Sequence, residues 1–267
     1  MTPTAANRIP SEATPLARIF GHESEYWTTV SAVEQRAGFK CFHNPAYPTR
    51  FDPNHAGDFC GDEGDGLRIV AEVIDFYRAR GCTPVAYVDA LSTPTDLGAC
   101  LLAAGFVHAA QWDGALMLYV GPDDGRASAA EVELVRGEAG RRTWAQIADE
   151  EAGADQQGML ETMYYAQLGD PRIRAYLARV DGKAAAHGLL FSSGGIGRVE
   201  TVRTLSPYRG RGLAAAVVRR AVEDSLALDH LLTYIFAEDG GAAQRLYASL
   251  GFRTVMTGAI HTYMLNE

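Results

Sequence analysis

The sequence predicts an α/β (α+β) chain built from two related domains, and three observations carry that reading. Segments that alternate apolar and polar residues are interleaved with segments of helical period through the second half. A run of turn formers and small polar residues, Gly121-Pro122-Asp123-Asp124-Gly125-Arg126-Ala127-Ser128, separates two well-patterned halves. The halves also share punctuation: Gly66 stands 39 residues before Gly105-Phe106, as Gly212 stands 39 before Gly251-Phe252, so a constant offset of 146 residues relates them. The expected organisation is a disordered tail at 1–14, a first domain at 15–120, a linker at 121–130 and a second domain at 131–267.

In the second domain, 132–135 reads as a strand, followed by helices at 141–150 and 157–168. Strands at 173–180 and 184–191 are joined by Asp181-Gly182-Lys183, a hairpin turn signal. The glycine-rich turn at 192–197 leads into a strand that ends near Thr204. Next comes an amphipathic helix at 212–228, with Leu213, Val217, Val218, Ala221, Val222 and Leu226 set against Arg219, Arg220, Glu223 and Asp224. A strand at 231–236, a helix at 242–250 closed by Gly251 at its C-cap, and a terminal pair of strands at 254–257 and 260–265 complete the pattern. In the first domain the same order gives a helix at 67–80, a strand at 84–88 and a helix at 96–104.

Composition removes several function classes. A formal charge of −9 lacks the lysine and arginine surplus that binding to a phosphate backbone requires, so no nucleic-acid partner is expected. No apolar stretch reaches the roughly 20 residues of a spanning helix, so no membrane partner is expected either. Residues 1–14 lack the basic start and apolar run of a secretory signal. Cys41, Cys60, Cys82 and Cys100 form no CxxC pair, the usage of reduced thiols in a cytoplasmic protein. The spacing of Cys41, His43, His55 and Cys60 fits no zinc pattern, and no metal is expected.

The chemistry concentrates at Tyr208-Arg209-Gly210-Arg211-Gly212-Leu213-Ala214, between a strand and the start of the amphipathic helix. Glycines allow a tight turn on which unsatisfied N–H groups converge, and the helix dipole favours a diphosphate there. The same residues also fit the dinucleotide fingerprint GxGxxA. Topology argues against that alternative, because only 55 residues follow Gly212 and they end in adjacent strands rather than further strand–helix units.

Arg209 to Ala214 matches the Arg/Gln-x-x-Gly-x-Gly/Ala signature, and Leu246-Tyr247-Ala248-Ser249-Leu250-Gly251-Phe252 the LYxxxGF helix, of GNAT N-acetyltransferases. With both motifs in order and spacing, 131–267 resembles that family. The resemblance implies a mixed, largely antiparallel central sheet flanked by helices in each domain, and acetyl-CoA as acyl donor. It assigns the diphosphate to the backbone of Arg209, Gly210, Arg211, Gly212, Leu213 and Ala214, and the pantetheine arm to the strand at Val202, Arg203 and Thr204. It makes Tyr247 the general acid and Glu200 the base of a direct transfer to an amine. His187, on the adjacent strand, is a second candidate base. An asparagine often found seven residues before the tyrosine is Gly240 here, which puts one pantetheine contact in doubt.

In the first half the offset sets Glu63 against Arg209, Asp65 against Arg211 and Leu101 against Tyr247. A loop of carboxylates repels a diphosphate, so this half is expected to be a degenerate GNAT-like domain that binds no coenzyme A. Its turn-rich segment from Asn44 to His55 is able to present side chains to an acceptor pocket. Tandem family members that acetylate small molecules tilt the expected partner towards a small-molecule amine, for a chain that is a monomer or homodimer. A protein lysine or N-terminus as acceptor, or a non-catalytic acyl-CoA sensor or scaffold, stays open.

Overall fold

A computed structural model describes residues 14–121, 130–150 and 158–266. The tail expected at 1–14, apart from Thr14, and most of the linker at 121–130 lie outside the described residues. The chain opens with helix α1 (Pro15–Trp27), started by Pro15 and by the Thr14 hydroxyl, which accepts from the Ala17 amide at 3.3 Å. Then come β1 (Ala32–Arg36), β2 (Phe39–His43), β3 (His55–Gly57), α2 (Gly66–Arg78), β4 (Val85–Asp89), α3 (Leu97–Ala103), β5 (Phe106–His108) and β6 (Gly114–Tyr119). The second half runs β7 (Val132–Leu134), α4 (Gly137–Glu150), α5 (Met159–Gln167), β8 (Ile173–Val180), β9 (Lys183–Ser193), β10 (Ile196–Thr204), α6 (Leu213–Ala227), β11 (Leu232–Glu238), α7 (Ala242–Ser249) and β12 (Phe252–Leu265).

The strands form one mixed, largely antiparallel sheet in the order β1-β2-β3-β4-β12-β6-β11-β10-β9-β8-β7, with β5 also on β12. The two halves therefore exchange their last strands. β6, from the first half, lies between β11 and β12, while the outer part of β12 lies between β4 and β5. The exchange is reciprocal in register. Phe252, Arg253 and Thr254 face Tyr119, Leu118 and Met117, and Phe106, Val107 and His108 face Leu265, Met264 and Tyr263, every residue 146 positions from its counterpart.

One strand of 14 residues thus replaces the terminal pair expected at 254–257 and 260–265. The register breaks between Met256 and Ile260, where Gly258 adopts φ +55°, let the strand bend to a new partner without reversing. Alternation identifies a strand but not its neighbour, so the two pieces read as a pair of adjacent strands. Asp113 fastens the crossing. Its Oδ2 lies 2.8 Å from both His108 Nε2 and His261 Nδ1, and its Oδ1 accepts from the Thr262 amide.

Helices cover both faces, which explains the nearly unbroken burial along β9. Val217, Val218 and Ala221 of α6 pack on Tyr176, Leu190 and Met117, and Trp144 and Ile147 of α4 pack on Leu177, Leu189 and Phe191. In the first half Ile69, Val73 and Leu101 form a core with Phe39, Ala86 and Leu265. Ile19 and Phe20 of α1 pack on Leu116, Ile196 and Tyr234, so the first helix covers the second half's strands. All four cysteines are free, and no helix among the described residues is long and apolar enough to cross a membrane.

Because Met117 and Leu116 complete cores that the second half begins, residues 130–267 expressed alone are expected to be largely insoluble. Co-expression with residues 1–121 should return both pieces to the soluble fraction as a co-purifying pair. Met117→Ala in the full chain should cost about 2–5 kcal/mol, read as a shift of a single unfolding transition.

Candidate functional site

The site begins where two parallel strands part. β10 and β11 pair from Ile196/Leu232 only as far as Val199/Ile235. Beyond Val199 the strand bulges: its register on β9 shifts between Glu200 and Arg203, and Thr201 takes φ +51°. Backbone groups of Val202, Arg203 and Thr204 that face away from β9 are thereby left open to a ligand. The bulge has no signal in a single sequence, since Thr201 carries no mark of a left-handed conformation.

Val202, Arg203 and Thr204 line a cleft of about 530 Å³ together with Arg209, Gly210, Gly212, Leu213 and Ala214. Tyr208, Ala242, Ala243 and Leu246 close its sides. Gly210 and Gly212 adopt φ +77° and +76°, the left-handed region that a side chain disfavours. Gly212 is the N-cap of α6 and supplies no side-chain cap, so the first-turn amides point into the cleft unsatisfied. Of the nine residues expected to hold the cofactor, eight line this cleft, while the Arg211 guanidinium lies 5.5 Å from the Tyr208 ring centre. An open glycine cradle at a helix N-terminus suits a diphosphate, and the exposed strand edge beside it suits an amide-bearing arm.

A second cavity of about 260 Å³ adjoins it, sharing Val202 and Arg203 and lined also by Tyr164, Glu200, Thr201, Phe236 and Tyr247. Glu200 from β10 and Tyr247 from α7 thus meet in one chamber. Burial, with the Glu200 charge second, pushes the Tyr247 phenol above its ordinary range, so it keeps its proton. Burial, again followed by Glu200, does the same to Tyr164, which packs edge-on against Trp144 at 5.4 Å. Tyr164 and Phe236 belong to the site without any motif to announce them.

Glu200 is held by a buried polar chain that begins on α1. Its Oε2 accepts from Arg198 Nε at 3.1 Å and from Nη2 at 2.8 Å, while Arg198 Nη1 lies 2.7 Å from Glu23 Oε2. The Arg198 side chain is 7% exposed and its guanidinium sits 3.9 Å from the Tyr26 ring centre. Burial works against its charge, but Glu23 and Glu200 keep it protonated. Tyr234 donates to Glu23 Oε1 at 2.5 Å and accepts from His22 Nδ1 at 2.9 Å. Burial raises Glu23 to about 7 against the pull of Arg198 and the Tyr234 hydrogen bond. The carboxylate so held belongs to a side chain that lines the chamber. Sequence reasoning missed Arg198 and Glu23, whose partnership spans the two halves.

His187 lines neither cavity. It is fully buried against Trp144, and burial, then Arg203, lowers it to about 3. Both ring nitrogens lack a hydrogen-bond partner, and an imidazole enclosed in this way has no route to a substrate. In the first half the acidic loop is satisfied internally: Glu63 accepts from Thr95, Asp65 pairs with Arg68, and Leu101 is in the core. Among the described residues, the convergent group that could hold a metal ion is His108, Asp113 and His261, at the strand crossing rather than in either cavity.

Residues 141–252 match the sequence model of the acetyltransferase (GNAT) family. Among solved structures, the chain is similar to a GCN5-related N-acetyltransferase from Kribbella flavida, with TM-score 0.69 and 17% identity over 95% of this chain and 96% of that one. A GCN5-related N-acetyltransferase from Sphaerobacter thermophilus gives 0.58 and 17%, over 85% and 75%. A tandem GNAT protein from the clavulanic acid biosynthesis pathway gives 0.56 and 13%, over 80% and 76%. No curated protein matches the sequence.

Replacing Arg198 by Met leaves the buried Glu23 and the half-buried Glu200 without their shared cation, and should cost about 3–5 kcal/mol in urea unfolding. The folded pKa of His187 lies below that of the unfolded chain, which therefore takes up the extra proton between 6.5 and about 3. Stability must fall as pH drops through that window. His187→Leu should flatten the fall by up to about 1.4 kcal/mol per pH unit, measured by urea titrations between about pH 4 and 6.

Proposed function

We propose, from the match of residues 141–252 to the sequence model of the acetyltransferase (GNAT) family, that the protein is an acetyl-CoA-dependent N-acetyltransferase acting on the primary amine of a small molecule. The observation that carries this reading is the adjacency of the glycine cradle to the chamber of Glu200 and Tyr247, with Val202 and Arg203 as their common wall. The opened edge of β10 would hold the pantetheine arm and aim the thioester between those two side chains. The donor supplies an acetyl group activated by its thiol leaving group.

The residues then divide the work. The amine attacks the thioester carbonyl, so that an N–C bond forms and the C–S bond breaks. The Glu200 carboxylate takes the proton that the amine nitrogen loses, directly or through one water. Tyr247, still protonated because of its burial, gives its proton to the departing sulfur. Arg198 fixes the Glu200 carboxylate through two hydrogen bonds, so the base does not need to be ordered when the amine arrives. No cysteine follows Cys100, which leaves the second half without a thiol to carry an acyl group. The acidic loop at Glu63 and Asp65 lacks a cradle for a second donor, so a single coenzyme A site is expected.

Coenzyme A at about 100 times its Kd should stabilise the protein by about 2.7 kcal/mol, seen as a raised melting temperature, whereas NAD should give no shift. Tyr247→Phe should lower kcat for thiol release by about 100-fold while leaving the KM for acetyl-CoA unchanged, and Glu200→Gln should lower kcat/KM for the amine. Thiol release that survives Tyr247→Phe intact would remove the assigned acid. Tight coenzyme A binding without release across amines, amino acids and peptides would favour an acyl-CoA sensor instead.

A further inference from the structure

A third cavity, of about 230 Å³, shares Glu200 and Phe236 with the reaction chamber and no lining residue with the cofactor cleft. Its remaining wall comes mostly from the first half: Glu23 and Trp27 of α1, Phe51 and Asp52 of the loop before β3, and Tyr87 of β4. This wall is rigid for identifiable reasons. Asn54, 1% exposed, ties the loop to itself, donating to the carbonyls of Tyr47 and Arg50 and accepting from the Asn44 amide. His55 is stacked between Phe42 at 4.8 Å and Tyr87 at 4.1 Å, with Trp27 edge-on at 4.9 Å. Burial lowers His55 to about 3, and its Nδ1 donates to the Asp52 carbonyl at 2.8 Å, which orients Asp52 at the rim.

The chemistry of the lining is selective. The rings of Trp27, Tyr87 and Phe236 give the recess an apolar lining, with the Arg198 guanidinium 5.8 Å from the Trp27 and Phe236 ring centres. Three carboxylates, Glu23, Asp52 and Glu200, stand around it. Arg198 is the cation among the lining residues, and it is already shared between Glu23 and Glu200, while Asp52 is paired with Arg50. An incoming carboxylate would add a fourth acidic group to a recess whose lining arginine is already engaged by two. An ammonium group would meet Glu200, the group placed to receive its proton.

We propose that this recess is the acceptor subsite, and that it selects a small primary amine on a flat apolar body that carries no carboxylate. The proposal rests on the acetyltransferase reading for what happens to the bound amine, but not for the binding itself. The first half then has a direct task, building the pocket that the second half lacks.

Tryptamine and tryptophan, which differ by one carboxylate, serve as probes in calorimetric titrations of the full chain saturated with coenzyme A. Tryptamine should bind at least about ten-fold tighter than tryptophan. Trp27→Ala should weaken tryptamine by about ten-fold, Trp27→Phe should restore most of that loss, and Asp52→Asn should narrow the preference over tryptophan. Coenzyme A affinity should stay constant in all three, which separates these effects from misfolding. Equal binding of the two probes, or tryptamine binding indifferent to Trp27→Ala, overturns the proposal, as does preferred binding of a lysine peptide. Thiol release from acetyl-CoA is measured in parallel. Binding at the recess without release would sink the acetyltransferase reading alone, whereas release insensitive to both Trp27→Ala and Asp52→Asn would sink the acceptor subsite alone.

Discussion

The reciprocal exchange of β6 and the outer part of β12 is the constraint on which the rest of the molecule depends. Each half has left out the strand that completes its sheet and receives it from the other, so neither core closes alone. Met117 lies under α6 and Leu265 lies under α2 and α3, although each is encoded in the opposite half. Matching registers on both sides of the crossing mean that the pairing energy of one exchange cannot be lost without disturbing the other. Asp113 adds a local fastening by engaging His108 of β5 and both His261 and Thr262 of β12.

That constraint also makes the site. A sheet continuous across both halves brings β4 and α1 to the edge of the β10–β11 opening, where Tyr87, Trp27 and Glu23 reach Arg198 and Glu200. The Arg198 ion pairs are worth less as stabilisation than as orientation, because removing three charged groups from water offsets most of their attraction. What they secure is a fixed carboxylate, with one oxygen committed to Arg198, on a side chain that lines the chamber. The first half thus reaches the candidate site through α1, while its own loop at Glu63 and Asp65 is acidic.

Much of the site was legible in the sequence because its parts are local. A glycine pair before an amphipathic helix specifies an anion cradle by backbone geometry alone, and Gly210 and Gly212 do adopt the left-handed conformations that such a turn needs. Tyr247 was marked by its spacing to Gly251-Phe252, the end of one short helix. Strand and helix positions from Val132 to Leu250 follow from periodicity for the same reason. By contrast α1, β1, β2 and β3 were not assigned, since their apolar residues pack against distant strands and show little pattern of their own. Arg198 carries no signal of its own in the sequence, because its partner Glu23 lies 175 residues earlier.

The sequence by itself determined the glycine cradle, the tyrosine on its partner helix, the charge reversal in the first half and the internal repeat, all of which depend on residue type and short spacing. Only the tertiary structure decided where the final strands go, because alternation sets which face a residue occupies and is silent about which strand lies alongside. It likewise decided that Glu200 is held from α1, that His187 is sealed in the core, and that Trp27, Asp52 and Tyr87 converge on one recess. Those outcomes are set by pairings between residues far apart in the chain, whose energies exist only once the sheet has closed.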